Sequence, residues 1–586
     1  KYIHSNLAVY SLRACAGEYR DAVELAEYTI NNQKDYILEE LYKRKPDVLC
    51  FSCYIWNIDY VTDIAREYKK LCPSVPIWVG GPEVSYEVEA FLRENPYIDG
   101  VMIGEGEDTF RELCGYYAHK RKLIDIAGIA FRKKSADGKA GEIVFTSPRP
   151  IKNMSEIPFC YDTLDDFSNR IIYYESSRGC PFSCSYCLSS VDKTLRFRDT
   201  EIVKRELKFF IDQKVPQIKF VDRTFNCNHA HAMELWRFIK ANDNGVTNFH
   251  FEISADLLNQ EELELISDMR PGLIQLEIGV QSTNEVTIKE IHRTMKLERL
   301  KEVVRLIQSG NNIHEHLDLI AGLPYEDYDS FGRSFDEIYE LKPNQLQLGF
   351  LKVLKGSYMF EHAAEYGIVY HDKPPYEVMS TKWLSFDDVI KIKRVEDMLE
   401  VYYNSGQFEI TMKLMECIFD SAFEFFQELG DFYEANGYFG MSHSRIRRCE
   451  ILLEFLALYL HGCDNDAMTS VVLSENDGDR DNTDFDENAQ IYSMIQESLI
   501  FDLYYRENCK SRPRWAADIG SFKHMTHAYC KNGKLSHVEP FHYIFPDKHM
   551  RKLDELPKYH KEPVWALFHY DMRDPLDHQA LVEYIE

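Results

Sequence analysis

Between Ile171 and Leu351 six short apolar stretches recur: IIYYESS, QIKFVD, NFHFEIS, IQLEIGV, HLDLIAG and QLQLGFL. Helical stretches such as EIVKRELKFFID and HAMELWRFIK separate them. Repeated strand–helix alternation commits a chain to a parallel sheet, because each parallel pairing needs a crossover long enough to hold a helix. Six such units close only part of a barrel, and chemistry in parallel α/β folds collects in the loops at the carboxyl ends of the strands.

The same alternation runs through residues 1–125. SNLAVYSLRACA, DYILEELYKR, IDYVTDIAREYKKL and VSYEVEAFLREN read as helices, PDVLCFSCY and VPIWVGG as strands, and GVMIGEGEDTFRELCGYY as a strand followed by a helix. DAVELAEYTI reads as a further strand. The first strand of a doubly wound sheet lies inside it, whereas residue 1 here already reads as the loop after that strand. The expectation is that about seven apolar residues precede Lys1, the alternative being a shorter domain. Residues 126–168 read as a hairpin around a Gly-containing turn (128–146) and a Pro-punctuated linker, PRPIKNMSEIPF. The partial barrel spans 169–375, and 376–586 is expected to be mainly helical, with SENDGDRDNTDFDENAQ as a solvated loop and two late strands, FHYIF and VWALFHY.

The chain is strongly acidic, with a net charge of −28 over 586 residues. That counts against nucleic acid as a partner, which calls for basic surface. No apolar run approaches the ~20 residues that cross a bilayer. Fifteen cysteines, an odd number scattered along a long chain, do not form a disulfide framework, so a reducing, cytoplasmic compartment is expected.

Three of those cysteines, Cys180, Cys184 and Cys187, stand together in ESSRGCPFSCSYCLSS with spacing C-x3-C-x2-C. A structural zinc wants four ligands, and the next histidine is His229. Three thiolates can instead hold three irons of a [4Fe–4S] cube and leave the fourth open to a small molecule. Zinc, a four-cysteine electron carrier and three ordinary thiols are the alternatives.

CPFSCSYC and the six β/α units together resemble the radical S-adenosylmethionine (SAM) enzymes. The resemblance implies a metal site of Cys180, Cys184 and Cys187, which are also the catalytic residues, with SAM chelating the open iron. Reductive cleavage would give a 5′-deoxyadenosyl radical that abstracts hydrogen from the substrate. It also implies SAM contacts from strand-end residues: Tyr186 packing near the adenine, Asp222 in FVDRTFN, Glu252 in FEIS, Glu277 and Gln281 in LEIGVQS, and the DLIAGLP segment. Asp222 stands where the family often has a Gly-Gly-Glu-like sequence, which loosens that assignment. For each carboxylate the alternative is a helix cap or a partner for Arg293.

The loops CFSCYIWN, VGGPEVS and IGEGEDTF each follow a strand of the N-terminal domain, and their small residues let a bulky ligand approach the backbone. Ahead of the barrel they resemble the cobalamin-binding domain of B12-dependent radical SAM proteins. By position Ser52, Cys53, Tyr54, Gly80, Gly81, Gly104, Glu105 and Gly106 would cradle the corrinoid. The family's Asp-x-His-x-x-Gly motif is missing; His4 stands near its place, as a cobalt ligand or as a polar loop residue. A degenerate Rossmann-like module used for packing is the alternative. LGFLKVLKGSYM and RENCKSRPRWAAD resemble a poorly characterised branch with a helical tail. Lys510, Arg512 and Arg514 form a basic cluster there, reading an anionic substrate or making a solvated face. Cys227 and Cys509 read as buried thiols.

The sequence thus describes an α/β protein: a Rossmann-like (doubly wound) cobalamin-binding domain, a partial (β/α)6 radical SAM barrel and a mainly helical C-terminal domain. The resemblance implies a [4Fe–4S] cluster, SAM and cobalamin as cofactors, and methyl transfer from methylcobalamin to a small-molecule substrate. A flavodoxin or ferredoxin would supply electrons. Radical chemistry without methyl transfer, and a non-catalytic Fe–S and corrinoid carrier or sensor, are the alternatives.

Overall fold

The structure is a computed structural model, and it describes residues 4–133, 141–167, 169–461, 487–530, 535–545, 553 and 555–585. The chain divides into two compact units. The first comprises residues 1–313, 322–326 and 349–385, and the second residues 314–321, 327–348 and 386–586.

In the N-terminal part of the first unit, the strands β1 (Leu49–Ser52), β2 (Ile77–Gly80) and β3 (Gly100–Met102) pair in parallel. The helices α1 (Leu7–Cys15), α2 (Lys34–Arg44), α3 (Ile58–Leu71), α4 (Val88–Glu94) and α5 (Glu107–Tyr117) accompany them. Along α3 the buried residues Ile58, Val61, Ile64, Ala65 and Tyr68 recur at three- and four-residue spacing, the signature of a helix with one face on a core. The hairpin strands β4 (Ile129–Arg132) and β5 (Ile143–Phe145) join the same sheet, antiparallel beyond β3; the expected Gly-containing turn lies outside the described residues. DAVELAEYTI is not a strand. A short 3₁₀ helix, Gly17–Ala22, runs into irregular chain. The alternation is real, but among the described residues no strand stands beside it, and Glu24 and Glu27 are drawn aside to Arg44 and Arg170.

The six expected barrel strands are present: β6 (Ile172–Tyr174), β9 (Gln217–Phe220), β10 (Asn248–Ile253), β11 (Ile274–Gln281), β12 (His314–Ala321) and β13 (Gln345–Phe350). In the first unit β6, β9, β10 and β11 pair in parallel in chain order. A two-residue ladder, β7 (Ser177–Arg178) with β8 (Arg196–Phe197), lies between β6 and β9 in sequence, and β14 (Val369–Tyr370) pairs with β15 (Val378–Ser380). In β11, Ile274, Leu276, Ile278 and Val280 are buried, while Gln275, Glu277, Gly279 and Gln281 between them are half-buried. Period-two burial of this kind gives each strand an apolar face and a polar one.

The second unit carries the helices Tyr328–Tyr339, Phe386–Leu399, Glu409–Ile418, Ala422–Ala435, Arg445–His461 and Glu487–Arg506. Asp502, fully buried, accepts the amides of Ile410 and Thr411 at 2.9 Å and so caps the Glu409–Ile418 helix. The expected late strands are three rather than two: β16 (Ser536–Tyr543), β17 (Tyr559–Arg573) and β18 (Ala580–Ile585). ALVEYI lacks a long apolar run, and its pairing with β17 makes it a strand. Most of the expected acidic loop lies outside the described residues. Among the described residues no helix is long and apolar enough to cross a membrane.

Candidate functional site

The cysteine loop begins four residues after β6. Gly179 precedes Cys180 with φ +88°, and a Cβ there would meet the Thr194 carbonyl oxygen at 2.5 Å, so only glycine makes this turn. The Cys180 amide donates to Asp192 O at 3.3 Å and the Cys187 amide to Cys184 O at 3.1 Å. Burial pushes the Cys180 thiol above the ordinary range, and the neighbouring Cys187 and Cys184 add to the rise. Among the described residues no three His, Cys, Asp or Glu side chains converge on a point where a single ion could sit. The three thiols are close enough to feel one another's charge.

Polar atoms without partners gather beside this loop. Ser185 Oγ, Gln281 Oε1 and Arg293 Nε are buried and find no hydrogen-bond partner among the described residues. Unsatisfied buried polar atoms are costly and are paired in almost all native structures. Gln281, at the end of β11, also holds φ +77°, a left-handed conformation uncommon outside glycine. Arg293 ties the two segments together: Nη1 donates to Tyr186 Oη at 3.2 Å and lies 3.8 Å from Cys184 Sγ, while Nη2 donates to the Gly279 carbonyl. Arg293 therefore serves the cysteine loop and pairs with no strand-end carboxylate. A Cβ on Gly279 would strike Gln281 Nε2 at 2.3 Å. These features fit a ligand with both donors and acceptors between Tyr186 and Gln281.

The expected carboxylates divide. Asp222 is fully buried and accepts from Ser176 N at 2.9 Å, Ser176 Oγ at 2.6 Å and Ser177 Oγ at 2.5 Å, which anchors the chain just ahead of the cysteines. Burial raises its carboxyl to about 6 against the pull of those donors. Glu277 accepts from Lys219 Nζ at 2.7 Å and stands 3.0 Å from His250 Nε2. Burial pushes its carboxyl up, but the His250 hydrogen bond and Lys219 outweigh it and hold it at about 2. Glu252, in register with Glu277 on the neighbouring strand, adds its field to Lys219 and Tyr173. In the second unit His316 Nε2 stands 3.1 Å from Asp318.

At the carboxyl edge of the N-terminal sheet the three small-residue loops lie side by side. The Cys53 amide donates to Gly80 O at 2.7 Å, and the Gly104 amide to Ser85 Oγ at 3.3 Å. Gly81 has φ +116°, and a Cβ there would meet Cys53 O at 2.4 Å. Gly104 has φ +75° and only open space where its Cβ would be, the form of a backbone that a ligand can approach. Ser52 O accepts from Asn57 Nδ2 at 2.9 Å, and Tyr54 stacks on Trp56 at 4.5 Å. Gly106 faces Leu12. The Glu105 side chain turns away to Arg196. His4 makes an isolated bridge to Ile171, with its ring 4.9 Å from Tyr173.

Arg178 and Arg196, which flank the cysteines and pair with Glu105 and Glu107, were not singled out from sequence; two acidic residues in IGEGEDTF facing two arginines around CPFSCSYC were the available signal. Cys227 lies within the electrostatic reach of Cys180, and both it and Cys509 are half-buried rather than buried as expected. The basic cluster separates: Arg512 is committed to Glu539 and to Tyr504 Oη at 2.8 Å, whereas Lys510 and Arg514 are exposed.

A cysteine loop following the first strand of a parallel sheet, and a glycine-lined sheet edge earlier in the chain, are what a radical SAM barrel preceded by a corrinoid-type domain calls for. Residues 1–114 match the family model described as the B12 binding domain, 174–338 the Radical SAM superfamily, and 364–580 a protein of unknown function (DUF4080). The chain thus joins a region similar to B12-binding domains to one similar to the radical SAM superfamily, a pairing that implies a [4Fe–4S] cluster, SAM and cobalamin as cofactors. It is 27% identical over 345 residues to the cobalamin-dependent radical SAM methyltransferase TokK of Streptomyces tokunonensis, covering 56% of this chain and 49% of that protein. It is 23% identical over 344 residues to the anaerobic magnesium-protoporphyrin IX monomethyl ester cyclase of Rubrivivax gelatinosus, covering 56% and 60%. The chain thus spans about half the length of TokK and less than two thirds of the cyclase. Its fold is similar to that of the cobalamin-dependent SAM radical enzyme OxsB with aqua-cobalamin bound, with a TM-score of 0.53 at 16% identity, covering 86% of this chain and 78% of that one.

Proposed function

We propose that this chain is a cobalamin-dependent radical SAM methyltransferase acting on a small molecule. The observation that carries the reading is the set of three thiols beside the unpartnered Gln281 Oε1 and Ser185 Oγ, in the same unit as the open Gly104 loop. When bound, the reduced cluster supplies the electron that cleaves SAM, and cobalamin supplies the methyl group.

Cys180, Cys184 and Cys187 would hold the cluster. Gln281 and Ser185 would hold SAM, with Tyr186 fixed against the adenine by Arg293. Glu252 remains a candidate contact, whereas Asp222 and Glu277 would support the site from behind, since their oxygens already have partners. Ser52, Cys53, Tyr54, Gly80, Gly81, Gly104 and Gly106 would cradle the corrinoid through their backbone. The domains would divide as 1–125, 126–168, 169–375 and 376–586. The electron donor would be a flavodoxin or ferredoxin, and the compartment cytoplasmic.

Similarity to the cyclase supports a second reading, radical chemistry without methyl transfer. Anaerobic incubation of cluster- and cobalamin-loaded protein with SAM and reductant separates the two. 5′-Deoxyadenosine with S-adenosylhomocysteine supports methylation, and 5′-deoxyadenosine alone supports the second reading. Neither product overturns both.

A further inference from the structure

Residues 179–195, which contain all three cysteines, form a loop closed at its base by one ladder pair, Arg178 with Arg196. Both arginines reach the same carboxylate. Glu105 Oε1 accepts from Arg196 Nη2 at 2.6 Å and lies 3.4 Å from Arg178 Nη1. Its second oxygen accepts the Lys152 amide at 3.3 Å, and the Lys152 carbonyl in turn accepts from Arg196 Nη1 at 3.0 Å. Arg178 is held further by Glu107 at 2.6 Å and by both oxygens of Glu175 at 2.9 Å. The Arg178 and Arg196 side chains are only 20% and 14% exposed, and that of Glu107 only 7%. At this depth an ion pair is weakly screened, and removing one member leaves an uncompensated charge.

Glu105 stands between Gly104 and Gly106, in the loop proposed to cradle the corrinoid. Its neighbours' backbone faces one ligand while its side chain grips both ends of the loop that would hold the other. We propose that Glu105, Arg178 and Arg196 are positioning residues that couple the two cofactor sites. Ordering of the cysteine loop by its cluster fixes Arg178 and Arg196, these fix Glu105, and the Gly104–Gly106 backbone is thereby set for the corrinoid. Gly179, locked at its turn, passes the position of Arg178 directly to Cys180. The inference rests on the cofactor assignment proposed above.

The test is a binding cycle on the full chain, run anaerobically with hydroxocobalamin as the probe and ultrafiltration to separate bound from free. Affinity is measured for cluster-loaded protein and for the same protein stripped of iron, in wild type, Glu105→Gln and Arg196→Gln. The quantity read is the ratio of the two affinities within each protein. A merely structural role would weaken both states equally and leave the ratio alone. Wild type is expected to bind hydroxocobalamin about fivefold or more tightly when cluster-loaded, and each variant to show a ratio near unity. A wild-type ratio near unity overturns the inference, as does a variant that binds in both states and keeps the wild-type ratio. Circular dichroism checks that each variant folds, and varying each partner of the Glu105–Arg196 pair in turn guards against one variant failing. Absence of hydroxocobalamin binding in every form overturns the cofactor assignment itself, and the coupling with it.

Discussion

Replacing Glu277 by Gln removes the charge at the centre of the polar face formed by β9, β10 and β11. The Glu277 side chain is 21% exposed, Lys219 20% and His250 10%, so the cluster is poorly screened. Its carboxyl is held at about 2 against an ordinary 4.5. At 1.36 kcal/mol for each tenfold in proton affinity, the folded state favours the charged form by about 3 kcal/mol. Glu277→Gln forfeits that and leaves Lys219 facing a neutral amide, for a loss of about 3 kcal/mol. A chain of several domains does not unfold in one step, so the assay is amide exchange of the Ile274–Gln281 strand, where about 3 kcal/mol means exchange faster by roughly a hundredfold. Because the folded value lies below the unfolded one, the stabilisation is complete above about pH 4.5 and fades only as pH falls toward 2; the gap between variant and wild type is therefore flat from pH 8 to 5. Lys219→Met with Glu277→Leu removes both charges and is expected to recover most of the protection. Unchanged exchange in Glu277→Gln, or a double variant as labile as the single, refutes the reasoning.

Three further outcomes are expected. Gly81→Ala places a Cβ 2.4 Å from Cys53 O at φ +116°, and is expected to weaken hydroxocobalamin binding about tenfold while leaving iron content unchanged, as read by titration and iron assay. Gln281→Ala removes the unpartnered acceptor beside the cysteine loop and is expected to weaken SAM binding about tenfold by equilibrium dialysis, with hydroxocobalamin affinity unaffected. Asp222, raised to about 6 by burial, favours the protonated form on folding; protection of Ser176 and Ser177 against exchange is expected to decline as pH rises from about 4 through 6, and Asp222→Asn to flatten that decline.

The barrel was legible because its strands alternate apolar and polar residues and its helices repeat every three to four; Ile274, Leu276, Ile278 and Val280 against Gln275, Glu277 and Gln281 show the strand pattern within eight residues. The cysteine loop was legible because its three thiols stand within eight residues of one another. Partner choice was not. DAVELAEYTI alternates like a strand, yet a strand exists only beside another, and ALVEYI is one because β17 lies beside it. Strand-end carboxylates are equally ambiguous: Asp222 and Glu277 have the same residue chemistry as a ligand contact, and only the serines, Lys219 and His250 that meet them show where their oxygens are spent. Glu105 was read as part of a glycine loop, because its partners lie dozens of residues further along the chain.

The central claim is that three cysteines hold a cluster with one corner left for SAM. Mössbauer spectroscopy of anaerobically reconstituted, iron-57-labelled protein, with and without SAM, tests it most directly. The account predicts a [4Fe–4S] cluster in which one iron changes its isomer shift when SAM is added, and loss of that cluster in Cys180→Ala. A spectrum indifferent to SAM, or a site that takes up zinc in place of iron, contradicts it.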